Sequence, residues 1–499
     1  MQFSRGSGIL VPLASLPSPY GIGDLGPQAY AFVDWLVETK QTYWQVLPFS
    51  ITNVSGCPYS SISAYGGSPL LISPELLVED QLLVPRDVQF HAYLFGPGKI
   101  EYSRVEEFKY FLFHKAFDNF QKGNRLHQEF AAFLKAEKEW CPPLAYFIAL
   151  TEQFGAPWAI WPEPFKHRHP DALEHFAQKN YDQVLFHEFL QFIFFRQWEK
   201  LKKYANNKGI KIIGDIPIFL NHHSMDIWQN PQFFKLNQFR YPYVVTGAPP
   251  DDFCQEGQYW GNPNYDWNVL GQDDYSWWVK RMAFNLRHYD IVRLDHFRGF
   301  SATWEIRADQ FDARQGYWAP TPGYELFHRM QDKLGDLPII VEDLGKITPD
   351  VDQLRQHFNF PGMKVLQFAF NKGWNAPNLP HNFGENYVVY TGTHDTMTTK
   401  GWFFGLGDTL ERDFCLKYTK ALNWENINWS LIALAMNAKA NLAIIPLQDV
   451  IGLGNEGRIN TPGTDHGNWA WRFTFGQIAP EDSAHLRQLT IDTQRAPLS

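Results

Sequence analysis

Seven apolar runs of strand length alternate with helix-spaced amphipathic stretches along this chain, and three of the runs stop at a carboxylate. The runs are YWQVLPF (43–49), GIKIIGDIPIFL (209–220), YDIVRLD (289–295), PIIVED (338–343), MKVLQFAF (363–370), YVVYTG (387–392) and LAIIPL (442–447), with PLLIS (69–73) as an eighth. Between them, YAFVDWLVET (30–39) and NINWSLIALAMNA (426–438) carry apolar residues at helical spacing. Alternating strand and helix builds a parallel sheet, and eight such strands predict a (β/α)8 TIM barrel. A single barrel domain over 1–499 is expected, with a mainly helical insertion at 75–205 and a loop-rich insertion at 221–288 over the active site. No series of short alternating strands follows residue 447, so no C-terminal β-sandwich domain is expected.

The chemistry is expected where the runs stop. IVRLDHFRG delivers Asp295, IIVEDLG delivers Glu342, and YVVYTGTHD delivers Asp395. Acids at the C-terminal ends of parallel barrel strands gather at one mouth. Three carboxylates there can supply a nucleophile, a general acid/base and a charge stabiliser, the equipment of a retaining glycosidic reaction. Side chains alternate along a strand, so Arg293 points the same way as Asp295 and favours its ionised form. Glu342 at the mouth of its strand could protonate a leaving oxygen. On its own the position fits a helix cap equally well, and Asp343 is an adjacent rival pointing the other way. His394 and Asp395 could grip vicinal hydroxyls of one sugar. GCPYSSISAYGGSP (56–69) offers Tyr59 and Tyr65, and APPDDFCQEGQYWGNPNYDW (248–267) offers Asp251 and Trp260, with Trp260 expected exposed in a groove.

Other classes lack support. A net charge of −9 disfavours nucleic acid and anionic membrane as partners. No run is long enough to span a bilayer. The opening MQFSRGSGILVPLASLPSPYGIGDLG is broken by prolines, unlike a secretory signal. Cys57, Cys141, Cys254 and Cys415 form no CxxC pair, which points away from disulfides and zinc and toward a reducing, cytoplasmic setting. No GxSxG elbow occurs, no GxGxxG follows a strand, and no His/acid set has metal-ligand spacing. The 19 Trp, 22 Tyr and 41 Phe fit either a large core or sugar stacking.

In order along the chain, RGSGILVPLASLPSPYGIGDLG, PYSSISAYGGSP, GDIPIF, PPDDFCQEGQYWGNPNYDW, RLDHFRG, VEDLG, GTHDT and RINTPGTDHGNWAWR resemble the amylomaltases of glycoside hydrolase family 77, relatives of the α-amylases. The resemblance covers nearly the whole chain. It implies transfer of α-1,4-glucan segments by double displacement, on α-1,4-glucans and malto-oligosaccharides, with glucose as an acceptor. It implies Asp295 as nucleophile, Glu342 as acid/base and Asp395 as the third carboxylate. Arg293, His296 and His394 match the shell around the cleaved-end glucose, and Asp215 an Asp at the end of the third strand. Tyr59, Asp251, Trp260, Phe368 and Asn460 match groove positions. No cofactor and no metal are implied, and a monomer or weak homo-oligomer is expected. Two departures, Cys57 before Pro58 and Asn371–Lys372 after LQFAF, fall at groove contacts. A retaining α-glucan hydrolase and a non-catalytic glucan-binding protein are the alternatives; the intact acid set argues against the second.

Overall fold

The structure, a computed structural model, describes residues 3–52, 55–89, 95–250, 255–421, 423–464 and 466–497. Eight parallel strands form its centre: β1 Gly6–Leu10, β2 Tyr43–Gln45, β3 Lys211–Ile216, β4 Ile291–Leu294, β5 Ile339–Val341, β6 Gly362–Val365, β7 Tyr387–Tyr390 and β8 Leu442–Pro446. The ladder runs β6-β7-β8-β1-β2-β3-β4-β5, and the Val341 amide donates to Pro361 O at 3.0 Å, bringing the two edges together as a (β/α)8 barrel. Both faces of β1 and β8 are buried, as strands walled by helices require.

Two expectations are corrected. PLLIS is a 3-10 turn at Pro69–Leu71, and the eighth strand is Gly6–Leu10. Its glycines hid it. A Cβ on Gly8 would stand 2.3 Å from Tyr43 O, so a side chain there would push β2 off β1. The run at 209–220 stops at Ile216 because Pro217 has no N–H to donate.

The helices bury one stripe each. In Pro27–Glu38, Ala29, Phe32, Val33 and Leu36 face inward at helical spacing after a proline at the first turn. Among the described residues, eight α-helices lie between β2 and β3, from Pro74–Glu79 to the 27-residue Tyr181–Asn207. Much of the aromatic content sits in the core: Phe49 packs against Phe194, Phe195, Trp198 and Tyr289 with ring centroids 5.1–5.9 Å apart. The stretch 221–288 contains regular structure. Val244–Ala248 and Gln258–Pro263 are antiparallel strands in a four-stranded sheet with Ala302–Arg307 and Tyr317–Pro320. Among the described residues no strand follows Pro446, and no helix is long and apolar enough to cross a membrane.

Candidate active site

Asp215 sits at the end of β3, Asp295 follows β4 and Glu342 follows β5. The ladder continues one step past the strands: Asp295 N–H donates to Ile216 O (3.0 Å) and Glu342 N–H to Leu294 O (2.9 Å). The three acids are thus set in step by backbone bonds rather than by loop chance.

Arg293 is the hub. Its Nη1 donates to Asp215 Oδ1 and Oδ2 (2.9 and 2.7 Å) and to Asp295 Oδ1 (3.0 Å). Asp215 also accepts from Tyr59 OH at 2.9 Å, and the same hydroxyl lies 2.9 Å from His394 Nε2. His394 Nε2 is 3.2 Å from Asp395 Oδ2, while Asn460 Nδ2 donates to Asp395 Oδ1 at 2.6 Å. Side-chain exposure divides the set: Arg293 (3%) and Asp215 (0%) are sealed, whereas Asp295 (27%) and Asp395 (42%) stay reachable. Tyr59 is held from behind. Its loop is bridged at Ser50–Gly67 and Thr52–Ser61, and Gln191 of the long helix exchanges hydrogen bonds with Gly67 N and O (2.9 and 3.0 Å).

The charges separate by environment. Burial, then the nearby Asp295 charge, pushes Glu342 up to about 7 against the pull of Arg293. Burial also lifts Asp215, to about 6, with Arg293 opposing. Asp395 goes the other way: desolvation would raise it, but His394 and Asn460 outweigh this and bring it to about 2. His394 is correspondingly raised, Asp395 overcoming burial. His296 is buried and falls to about 4, so its ring is neutral. The His296 backbone is left-handed (φ 50°), which aims its N–H at Glu342 Oε2 (2.8 Å); Leu344 N–H takes Oε1 (2.9 Å). Asp343, the adjacent rival, faces away. It accepts from Met363 N–H at 2.6 Å and lies 3.4 Å from Arg355 Nε.

Of the other expected residues, Trp260 is half-buried, edge-on to His296 at 4.7 Å, with its Nε1 on Gln258. Phe368 lies partly buried on the turn after β6. Tyr65 packs on Trp140 and Phe284, away from the acids. Asp251 lies outside the described residues. Two site residues escaped the sequence reading. Arg458 donates to Asp395 O (3.3 Å) and Asn460 O (2.8 Å), and Trp469 closes on Tyr59 and His394 with ring centroids 5.8 and 6.1 Å away. Both belong to the quoted RINTPGTDHGNWAWR segment, but no spacing rule ties residues 458–469 to 59 or 395. Among the described residues no group of three or more His, Cys, Asp or Glu could hold a metal ion.

A (β/α)8 barrel with acids set in step at the C-terminal strand ends is the arrangement of a barrel enzyme whose active site lies at that mouth. The chain matches the family described as 4-alpha-glucanotransferase, glycoside hydrolase family 77, over residues 11–477, and it belongs to that family. It is 44% identical over 496 residues to the 4-alpha-glucanotransferase of Synechocystis sp., covering 98% of each chain. It is 42% identical over 507 residues to that of Thermus thermophilus, covering 99% of this chain and 100% of the other. The solved amylomaltase from Streptococcus agalactiae in complex with acarbose superposes with a TM-score of 0.96 at 37% identity, covering 99% and 100% of the two chains.

Proposed function

We propose that the protein transfers α-1,4-glucan segments between malto-oligosaccharides, with glucose among its acceptors, by double displacement. The observation that carries the reading is the unequal pair Asp295 and Glu342. Asp295 is gripped by a buried arginine at 3.0 Å, while Glu342, without such a direct grip, is pushed up to about 7. One is set to attack as a carboxylate, the other to give a proton near neutral pH.

In the first half-reaction Asp295 attacks the anomeric carbon and Glu342 protonates the departing oxygen. In the second, Glu342 removes the proton from the 4-hydroxyl of an incoming sugar, which displaces Asp295. Each Glu342 oxygen already accepts one backbone N–H, so the acidic proton occupies a remaining lone pair and the carboxyl is fixed in orientation. Asp395, ionised with His394 and Asn460 around it, is placed to hold hydroxyls of the reacting sugar. Arg293, Asp215 and Tyr59 form the support that orients Asp295. The dispersed thiols support a cytoplasmic setting, with Cys57, Cys141 and Cys415 unpaired.

Incubation with maltotriose tests the reading. Longer oligosaccharides together with glucose are expected. Glucose and maltose without longer products would mean that water, not sugar, resolves the intermediate.

A further inference from the structure

The connection leaving β6 at the catalytic end of the barrel carries a segment with unusual chemistry. Residues 371–383 read NKGWNAPNLPHNF, with asparagines at 371, 375, 378 and 382, one lysine, one histidine and no carboxylate. Near its start stands Trp374, 54% exposed.

This tryptophan is exposed but not loose. Its ring is braced by Phe414 and Tyr418, each 5.4 Å away between centroids, and by His381 at 5.9 Å. Behind the brace, buried Phe370 meets Phe414 and Tyr418 at 6.3 and 6.2 Å. The Trp374 carbonyl takes Asn382 Nδ2 (2.8 Å) and His381 Nε2 (3.0 Å). A carbonyl only accepts, so Nε2 carries the imidazole hydrogen and Nδ1 accepts from Tyr418 OH at 2.7 Å. Asn378 Nδ2 donates to Phe368 O at 3.5 Å, tying the segment to the turn directly after β6.

A rigid aromatic face bordered by neutral amides suits an uncharged, hydroxyl-rich partner. The ring offers an apolar plane whose ordering cost is already met by the fold. Asn371 and Asn375, both exposed, offer donors and acceptors without charge, and exposed Asn382, whose Nδ2 is taken by the Trp374 and Ala376 carbonyls (2.8 and 2.9 Å), offers its Oδ1 as an acceptor. We propose that Trp374, with Tyr418 and these asparagines, is a second glucan-binding plate outside the acid cluster. It holds one stretch of a long α-glucan while another stretch occupies the barrel mouth. The proposal rests on the transferase reading above. Two contacts on one polymer raise its effective concentration at the mouth, so only chains long enough to reach both gain.

The test uses the full chain, with maltotriose as the short substrate and glycogen in a native gel as the long one. Wild type should disproportionate maltotriose and be retarded by glycogen. Trp374→Ala should keep maltotriose kcat/KM within about twofold, since one buried sugar contact would cost more than that. Its retardation by glycogen should weaken by roughly fivefold to tenfold, the loss of one stacking contact. Trp374→Phe should restore part of it, and Asp295→Asn should keep retardation without turnover. Unchanged retardation in Trp374→Ala overturns the plate while leaving the transferase reading intact. Absence of wild-type transfer on maltotriose overturns the transferase reading instead. A concentration-dependent change in molecular mass that Trp374→Ala abolishes would assign the face to a second copy of the chain and overturn the plate as well.

Discussion

At the scale of single residues, the site works by giving like groups unlike surroundings. Glu342→Gln keeps shape and hydrogen bonding but has no proton to give, so transfer from maltotriose should slow by roughly two to four orders of magnitude. Glucosyl fluoride needs no such proton and should load Asp295, after which the covalent intermediate accumulates for want of a base. Mass spectrometry of the intact chain reads this; label on Glu342, or near-normal transfer, would refute the roles given. The same carboxyl sets a pH limb. Glu342 titrates near 4.5 when unperturbed and at about 7 when folded, so kcat/KM should fall as pH rises through about 7 and the Glu342→Gln variant should lack that fall. Stability follows the same proton. The contribution of Glu342 is full below about 4.5 and is lost as pH climbs toward 7, because the unfolded chain ionises first. His296 offers a backbone test. His296→Asn and His296→Val both remove the imidazole, but Val resists the left-handed conformation and should be about 1–2 kcal/mol less stable than Asn in urea unfolding. Equal stability would mean the turn relaxes freely and the aimed amide is not enforced.

At the scale of elements, what could be read depended on how undiluted each signal was. The runs ending in Asp295 and Glu342 were legible because branched apolar residues lead directly to an acid, and the strands stop beside those acids. The strand at 6–10 was illegible because three of its five residues are Gly or Ser, a composition chosen by how closely β2 must approach. Asp343 could not be told from Glu342 by sequence alone. The structure separates them: Asp343 bonds the β6 backbone, and Gly362 leaves it room, since a Cβ there would stand 2.2 Å from Asp343 Oδ2. Gly362→Ala should therefore displace Asp343 and destabilise by about 1–3 kcal/mol, the usual overpacking cost. A variant with unchanged unfolding midpoint would show that the carboxylate is not needed there. The partners of Asp395 were only half legible, since Asn460 and Arg458 arrive across more than sixty residues of intervening chain.

At the scale of the whole molecule, the ring of strands is fastened unequally. Where β8 meets β1, fully buried Arg495 donates to the carbonyls of Gly6, Met436, Ala438, Ala440 and Asn441, and Arg5 adds bonds to Met436, Ala438 and Ala440. Arg495→Ala would orphan several carbonyls together and should cost at least about 3 kcal/mol by chemical denaturation. A loss under about 1 kcal/mol would mean water replaces the guanidinium without penalty. Three seams further round the ring, β5 and β6 are absent from the paired ladder as neighbours and are bridged by Val341 N–H to Pro361 O and by the Asp343 carboxylate. The barrel therefore behaves as a split ring with one welded side and one clasp. Its amides should exchange with deuterium soonest at that clasp, at 339–341 and 362–365, and the residue riding on the edge that breathes is Glu342.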